Sequence, residues 1–531
     1  MRPQDKERIV VEVTRRVLEE NLARAAGMKE AYIDTLIHET IYFEQRRIDT
    51  DPYSLTIEED RKWISGLRSR FKRASEKEKK EILGEIIERH TREVSGYFSP
   101  AVYKLTTKVI PIGLGVMLNG FSAIKLLKSI PHLPDVSDNI LIQGAVEQAK
   151  TLDKKGTIIL VPTHASNLDS VAIGYSLYKV GLPPFTYGAG LNLFHHRIFG
   201  FFMHRLGAYK VDRLKKHSLY KDVLKEYATV SLEMGYHNLF FPGGTRSRSG
   251  AIEQKLKLGL LGCGIKAYYN NLKNGKEPSR LWVIPLTINY QLVLEAETLI
   301  EDHLKEAGKS RYIIEDDEFS MPGRIYTFIK NLVTLDAKIY IKFGRALDLF
   351  GNDVDDEGES LDGVGRRIDP AKYLYRKGEL VEDDNRDKEY TQELARNIVE
   401  SYKRNSVIFS TNVLAWTVFD MISRLHPDPD FYRFLRETGY QASIPMVDVY
   451  KEVEKTLKLV KKLAAKNKLT LSETLAKSDA EETVDNAFKL FGTYHTKPVV
   501  VRRGDRLFPS DMNLIYYYRN RLWGYGLERM N

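Results

Sequence analysis

The chain has 531 residues, 43% hydrophobic and 29% charged, a globular balance that excludes disorder as its main state. Gly 36, Pro 19 and Cys 1 exclude collagen-like and disulfide-stapled chains, and the lone Cys263 fits a reducing, cytoplasmic setting. Lys and Arg total 81 against 72 Asp and Glu; the net charge of +9 suits a weak pull toward anionic membrane or phosphorylated substrate and does not argue for nucleic acid.

Met1-Arg2-Pro3-Gln4-Asp5-Lys6 runs into charged residues without an apolar stretch, so no secretory signal is expected. Residues 1–96 read as an N-terminal helical region. Val10, Val13, Val17 and Leu18 follow helical spacing, as do Trp63, Leu67 and Phe71 with Ile64 beside them. Arg61, Lys62, Arg68, Arg70, Lys72 and Arg73 flank the second stripe. They form either a solvated face over a core stripe or a basic surface for a membrane. Val109 to Ile124 is uncharged but short, and it holds Pro111, Gly113, Gly115 and Gly120. It reads as an irregular core segment or a segment lying in a membrane interface, since no stretch is long enough to span a bilayer.

Residues 97–350 read as an α/β domain. Thr157 to Val161, Asn238 to Phe241 and Leu281 to Leu286 are short apolar runs between helical patterns, and Ala337 to Phe343 alternates like a half-exposed strand. Strands separated by helices predict a mostly parallel sheet flanked by helices. Residues 351–390 form an acidic linker or loop; GNDVDDEGESLDG lacks the ligand spacing of a calcium loop. Residues 391–531 read as a C-terminal helical region packed on the core, with Ser406 to Phe419 as a buried helix.

The first chemical candidate is Val161-Pro162-Thr163-His164-Ala165-Ser166-Asn167-Leu168-Asp169. His164 follows the end of a buried strand, where open α/β sheets place ligands. On one continuous helix, five steps would set His164 and Asp169 roughly 140° apart. They meet only if His164 lies in the loop and Asp169 in the first helical turn, with Ser166 or Asn167 as the cap. A histidine held by a carboxylate is a general base. No Ser or Cys stands in a nucleophile motif beside it, so the base would act on a substrate hydroxyl directly. Alone, the pair is no more than a surface histidine near an acid.

Downstream, Asn238 to Phe241 runs into Pro242-Gly243-Gly244-Thr245-Arg246-Ser247-Arg248-Ser249-Gly250, with Lys255 and Lys257 following. Glycines allow close backbone approach, and two arginines at i and i+2 reach one anion together. The loop suits a phosphate, and it is no Walker loop. Leu206-Gly207-Ala208-Tyr209-Lys210-Val211-Asp212-Arg213 offers a third cation in Arg213. His195-His196 has no accompanying metal-ligand spacing, so it reads as structural and no metal is expected.

The order of these segments, closed by Ile284-Pro285-Leu286-Thr287-Ile288-Asn289-Tyr290, resembles the four-block pattern of the glycerolipid acyltransferases. VPTHASNLDSVAIGYSLYKVGLPP, Ala189-Gly190-Leu191-Asn192-Leu193 and RLGAYKVDR resemble the membrane glycerol-3-phosphate acyltransferase family of bacteria and mitochondria, as do Ala395 to Val399 and Leu514 to Asn520. The resemblance implies that His164 takes the proton of the 1-hydroxyl of glycerol 3-phosphate as it attacks an acyl thioester, with Asp169 orienting the ring. It implies that Arg213, Arg246, Arg248 and Lys257 hold the phosphate, beside Gly243, Gly244, Thr245 and Ser247 of the site loop. Backbone N–H groups at the helix start or the second strand's end are expected to meet the oxyanion. The resemblance implies acyl-CoA or acyl carrier protein as the donor, with no cofactor. A membrane lipid surface is the expected partner, and the cytoplasmic face of the membrane, peripherally or monotopically held, the expected location. Two positions depart from the pattern. Gly243 stands where the family usually has Glu, and Lys210 and Asp212 replace apolar residues before Arg213. Dihydroxyacetone phosphate or a lysophospholipid as acceptor, or an inactive lipid- or phosphate-binding scaffold, are the alternatives.

Overall fold

The computed structural model describes residues 3–27, 32–50, 57–104, 139–190, 203, 205–212, 214–276, 279–307, 337–427, 430–437, 442–492, 495 and 497–528. Helices α1 (Pro3–Ala26), α2 (Tyr32–Thr50), α3 (Ile57–Phe71) and α4 (Glu76–Val94) come first. Both sequence stripes face inward: Val10, Val13, Val17, Ile64, Leu67 and Phe71 are buried, while Trp63 is half-buried. Ser75 and Glu78 close a capping box at the start of α4.

The core is a seven-stranded sheet in the order β1-β7-β6-β2-β5-β3-β4. Its strands are β1 (Ile140–Gly144), β2 (Thr157–Pro162), β3 (Thr186–Gly190), β4 (Ala208–Val211), β5 (Asn238–Leu239), β6 (Leu281–Tyr290) and β7 (Ile339–Phe343). Neighbours pair in parallel except at the β6–β7 junction, which is antiparallel. The connecting helices are α5 (Val146–Asp153), α6 (Asp169–Val180), α7 (Ser218–Glu233), α8 (Cys263–Lys273) and α9 (Ala296–Ala307). After the sheet come α10 (Asp384–Asn405), α11 (Ser410–Leu425), α12 (Met446–Ala465), α13 (Ala480–Phe491) and α14 (Met512–Arg519).

β2 shows why its sequence is apolar without alternation. Ile158 and Leu160 join the core that holds α6 and α11, whereas Ile159 and Val161 join the core that holds α8 and α10. Both faces are covered, so positions 158 to 161 are all apolar. Each such side chain, fully buried, stabilises the fold by about 1.5–3 kcal/mol. The outer side of α7 carries Leu219, Tyr220, Val223 and Tyr227 into a third core with the N-terminal helices.

One expectation changes. β7 is an interior strand between β1 and β6 rather than a half-exposed one, and its half-buried Lys342 donates from Nζ to Thr470 Oγ1 at 2.6 Å. The acidic segment is pinned to the core: Trp282 donates its indole N–H to the Gly358 carbonyl at 3.0 Å, and Arg280 pairs with Glu359 at 2.6 Å. Val109 to Ile124 lies outside the described residues.

Candidate active site

β2 and β5 are parallel neighbours, so their carboxyl ends open on the same edge and their loops meet there. His164 leaves the end of β2. Its Nδ1 donates to Asp169 Oδ2 at 2.8 Å, and its Nε2 makes no hydrogen bond among the described residues. The ring stacks on Phe241 with centroids 4.0 Å apart, and 15% of the side chain is exposed, which keeps one edge open to a reactant. Its backbone N–H donates to Glu253 Oε1 at 2.9 Å, and its carbonyl accepts the Ser247 N–H at 2.7 Å.

Asp169 is the first residue of α6 and is fully buried. Its Oδ2 also accepts the N–H groups of Ala165 at 2.7 Å and Ser166 at 2.9 Å, and its Oδ1 accepts the Tyr290 hydroxyl at 2.7 Å. Four donors thus converge on this one carboxylate. Burial, with Asp169 adjacent, pushes the Tyr290 phenol well above its ordinary range and keeps it a donor. β6 brings Tyr290 there by running past β2. Pairing ends at Pro162–Leu286, and four more residues carry the strand roughly 13 Å further.

The expected cap does not form. The cap position is Leu168, without a side-chain cap bond, because Asp169 itself turns back onto the loop and Ser166 is claimed elsewhere. Ser166 Oγ donates to Glu295 Oε2 at 2.7 Å and accepts the Leu168 N–H at 3.1 Å; the Asn167 N–H donates to Glu295 Oε1 at 2.8 Å. The N–H groups of 165 to 168 are therefore spent inside the loop, so the helix start offers no oxyanion donor among them. Arg246 donates to the same Glu295 Oε1 at 3.4 Å, which ties the second loop's guanidinium to the first loop.

The second loop folds back on itself: the Lys257 N–H donates to the Pro242 carbonyl at 2.8 Å, and Ser247 Oγ to the Ala251 carbonyl at 2.6 Å. Gly244 has φ +80°, and the Lys257 side chain lies where its Cβ would be, 2.5 Å from that position at Nζ. Gly243 faces Glu253, whose Cγ would stand 3.1 Å from a Cβ there. Thr245 is exposed, and Arg248 pairs with Glu306 at the end of α9. Of the phosphate cations expected, Arg246 and Lys257 thus lie in the loop beside His164, and Arg248 is turned to α9. Arg213 lies outside the described residues, as do His195 and His196.

The turn after β4 is nonetheless anchored. Lys215 Nζ binds Glu93 Oε2 at 2.6 Å and Glu44 Oε1 at 3.1 Å, and lies 3.3 Å from His90 Nδ1. Among the described residues, Glu44, His90 and His217 bring three metal-capable atoms within 4.8 Å of one another. The Lys215 ammonium already supplies the positive charge there. Tyr290, Glu295, Glu253 and Phe241 were given no role by sequence reasoning. Tyr290 sat inside the fourth block, a signal that could have found it; Glu295 and Glu253 lie outside every block.

Residues 144–289 match the family model described as Acyltransferase. Among curated relatives, the chain is 28% identical over 228 residues to a glycerol-3-phosphate acyltransferase of Pseudomonas putida (strain W619), covering 43% of this chain and 26% of that protein. It is 31% identical over 193 residues to one of Pasteurella multocida (strain Pm70), covering 36% and 22%. It is 26% identical over 205 residues to one of Pseudomonas aeruginosa (strain LESB58), covering 38% and 23%. The chain spans about a quarter of the length of the curated relatives it matches.

Proposed function

We propose that this chain, whose residues 144–289 match the acyltransferase family model, moves a fatty acyl group from an acyl thioester to the 1-hydroxyl of glycerol 3-phosphate, forming lysophosphatidate. The observation that carries the reading is the braced imidazole: Nδ1 fixed on Asp169, Nε2 open, and the loop bearing Arg246 bonded to the same residue's carbonyl. The neighbouring hydroxyl of Ser166 is held by Glu295, so it is no nucleophile, and the acceptor oxygen attacks the thioester carbon itself.

His164 Nε2 takes the hydroxyl proton as the C–O bond forms. When the C–S bond breaks, the imidazolium returns that proton to the departing thiolate, leaving the base free. Asp169 holds the ring's tautomer and stabilises the transient cation. Arg246 and Lys257, with Arg213 and Arg248, bind the acceptor phosphate, and the loop after β5 supplies the oxyanion donors. The donor is acyl-CoA or acyl carrier protein. The relatives' printed names support the acceptor.

The test is a labelled acyl-thioester assay with CoA and carrier-protein donors against glycerol 3-phosphate, dihydroxyacetone phosphate and a lysophospholipid. Labelled lysophosphatidate from glycerol 3-phosphate is expected; transfer to another acceptor in its place, or to none, overturns the assignment.

The same reading places the protein at the cytoplasmic face of a membrane, peripherally or monotopically. No helix among the described residues is long and apolar enough to cross one. The exposed cations Arg61, Lys62, Arg68, Lys72 and Arg73 around α3 support a salt-sensitive surface contact. Sedimentation with phosphatidylcholine vesicles containing phosphatidylglycerol is expected at low salt and lost at high salt. Full recovery in the supernatant at low salt rules the contact out.

A further inference from the structure

We propose that Glu253 is a positioning residue for His164, holding the main chain of the base and setting a second negative charge beside its ring. The inference rests on the function proposed above and deepens it.

Two separate carboxylates grip His164: Asp169 takes the ring through Nδ1, and Glu253 takes the backbone N–H at 2.9 Å. With the Ser247 N–H on its carbonyl, both main-chain polar atoms of His164 are fixed by the segment after β5. That segment also supplies the ring's stacking partner, Phe241. Glu253 reaches the base because position 243 has no side chain; a Cβ there would crowd its Cγ at 3.1 Å. Buried Ile252 anchors the approach.

A neutral amide would accept the same N–H at lower desolvation cost. Burial pushes the Glu253 carboxyl above its usual range; the His164 N–H, the charge of Arg521 and the charge of the His164 ring pull it back. What a carboxylate adds over an amide is stabilisation of the imidazolium that forms during transfer. The other charged groups of these elements are Asp169 on the Nδ1 of the base, Arg246 on Glu295, Lys257 against Gly244, and Arg521, from the turn after α14, whose charge acts on Glu253. Tyr402, near Glu253, donates to the Val161 carbonyl at 2.9 Å and stays neutral.

Glu253→Gln keeps the acceptor oxygen and removes the charge. The acid limb of the kcat/KM profile should move to lower pH by roughly one unit, because a less stabilised imidazolium loses its proton more readily. The plateau should fall several-fold with both KM values unchanged. Arg521→Gln removes a cation that helps keep Glu253 charged, so it should move the limb in the same direction by less. The same midpoints are read without turnover by NMR titration of labelled histidine, His164→Gln assigning the signal. Superimposable titrations for wild type and both variants overturn the proposal, and if Glu253→Gln does not fold, Arg521→Gln alone decides. A wild type that transfers to no acceptor, while its His164 midpoint still shifts in the variants, sinks the function and leaves this inference standing.

Discussion

The Ser247 backbone N–H meets the His164 carbonyl oxygen at 2.7 Å, so the loop after β5 and the loop after β2 form one hydrogen-bonded unit. His164 and the Arg246 loop are thereby held in fixed register. His164→Ala should lower kcat by about three orders of magnitude while leaving acceptor binding nearly intact. Single-turnover kinetics with an equilibrium binding assay separate the two. Transfer that survives the change rules out His164 as the base.

Tyr290 is one of four donors to Asp169, so Tyr290→Phe leaves three in place. Losing one such bond costs about 1 kcal/mol, and kcat should drop roughly tenfold or less. Asp169→Asn should cost far more, because it removes the charge that stabilises the imidazolium. Equal losses in the two variants would mean that Tyr290 does more than support Asp169.

Arg246→Ala should raise the KM for the phosphorylated acceptor by about tenfold or more and leave the donor KM unchanged. Steady-state kinetics with each substrate varied in turn checks this. An unchanged acceptor KM removes Arg246 from the phosphate site and leaves its bond to Glu295 as its role.

Gly250 has φ +76°, and a Cβ there would lie 2.3 Å from the Tyr517 carbonyl oxygen in α14. Gly250→Ala should destabilise the fold by about 2 kcal/mol or more, combining left-handed strain with a backbone clash. Urea unfolding measures it. A variant as stable as wild type would show that α14 yields easily at this seam.

Burial, with the Lys215 ammonium beside it, lowers the His90 imidazole from 6.5 to about 4. Between those values the unfolded chain takes up a proton that the folded chain refuses. Stability is therefore fully present above pH 6.5 and falls as the pH drops through the window, by at most about 3 kcal/mol. Glu44 and Glu93 are held below the usual carboxylate range against burial, through His217 and Lys215, so they add a loss only at lower pH. Urea midpoints at pH 7 and pH 5 should differ, and His90→Gln should narrow the gap. An unchanged gap removes His90 as its source.

The sequence disclosed what is local. His164 and Asp169 are five residues apart, and a loop entering a helix is enough to join them. β2 and β6 stood out because burial on both faces leaves an unbroken apolar run. β1, β3 and β4 did not: ILIQG, TYGAG and AYKV are short and carry small or polar residues. Tyr290 could be placed in a motif but not given a task, since its task depends on how far β6 outruns β2. Glu295 and Glu253 were beyond reach, because one depends on where α9 starts and the other on a loop doubling back past Gly243.

The Lys215 mooring sets a lower bound on the working unit. Its anchors, Glu44 and Glu93, belong to α2 and α4, outside the 144–289 stretch that matches the family. A fragment trimmed to that stretch would cast the turn beside position 213 adrift and strip the cover from α7. The N-terminal helices are thus a built-in cradle for the edge of the sheet that carries His164, to be kept in any excised version of the chain.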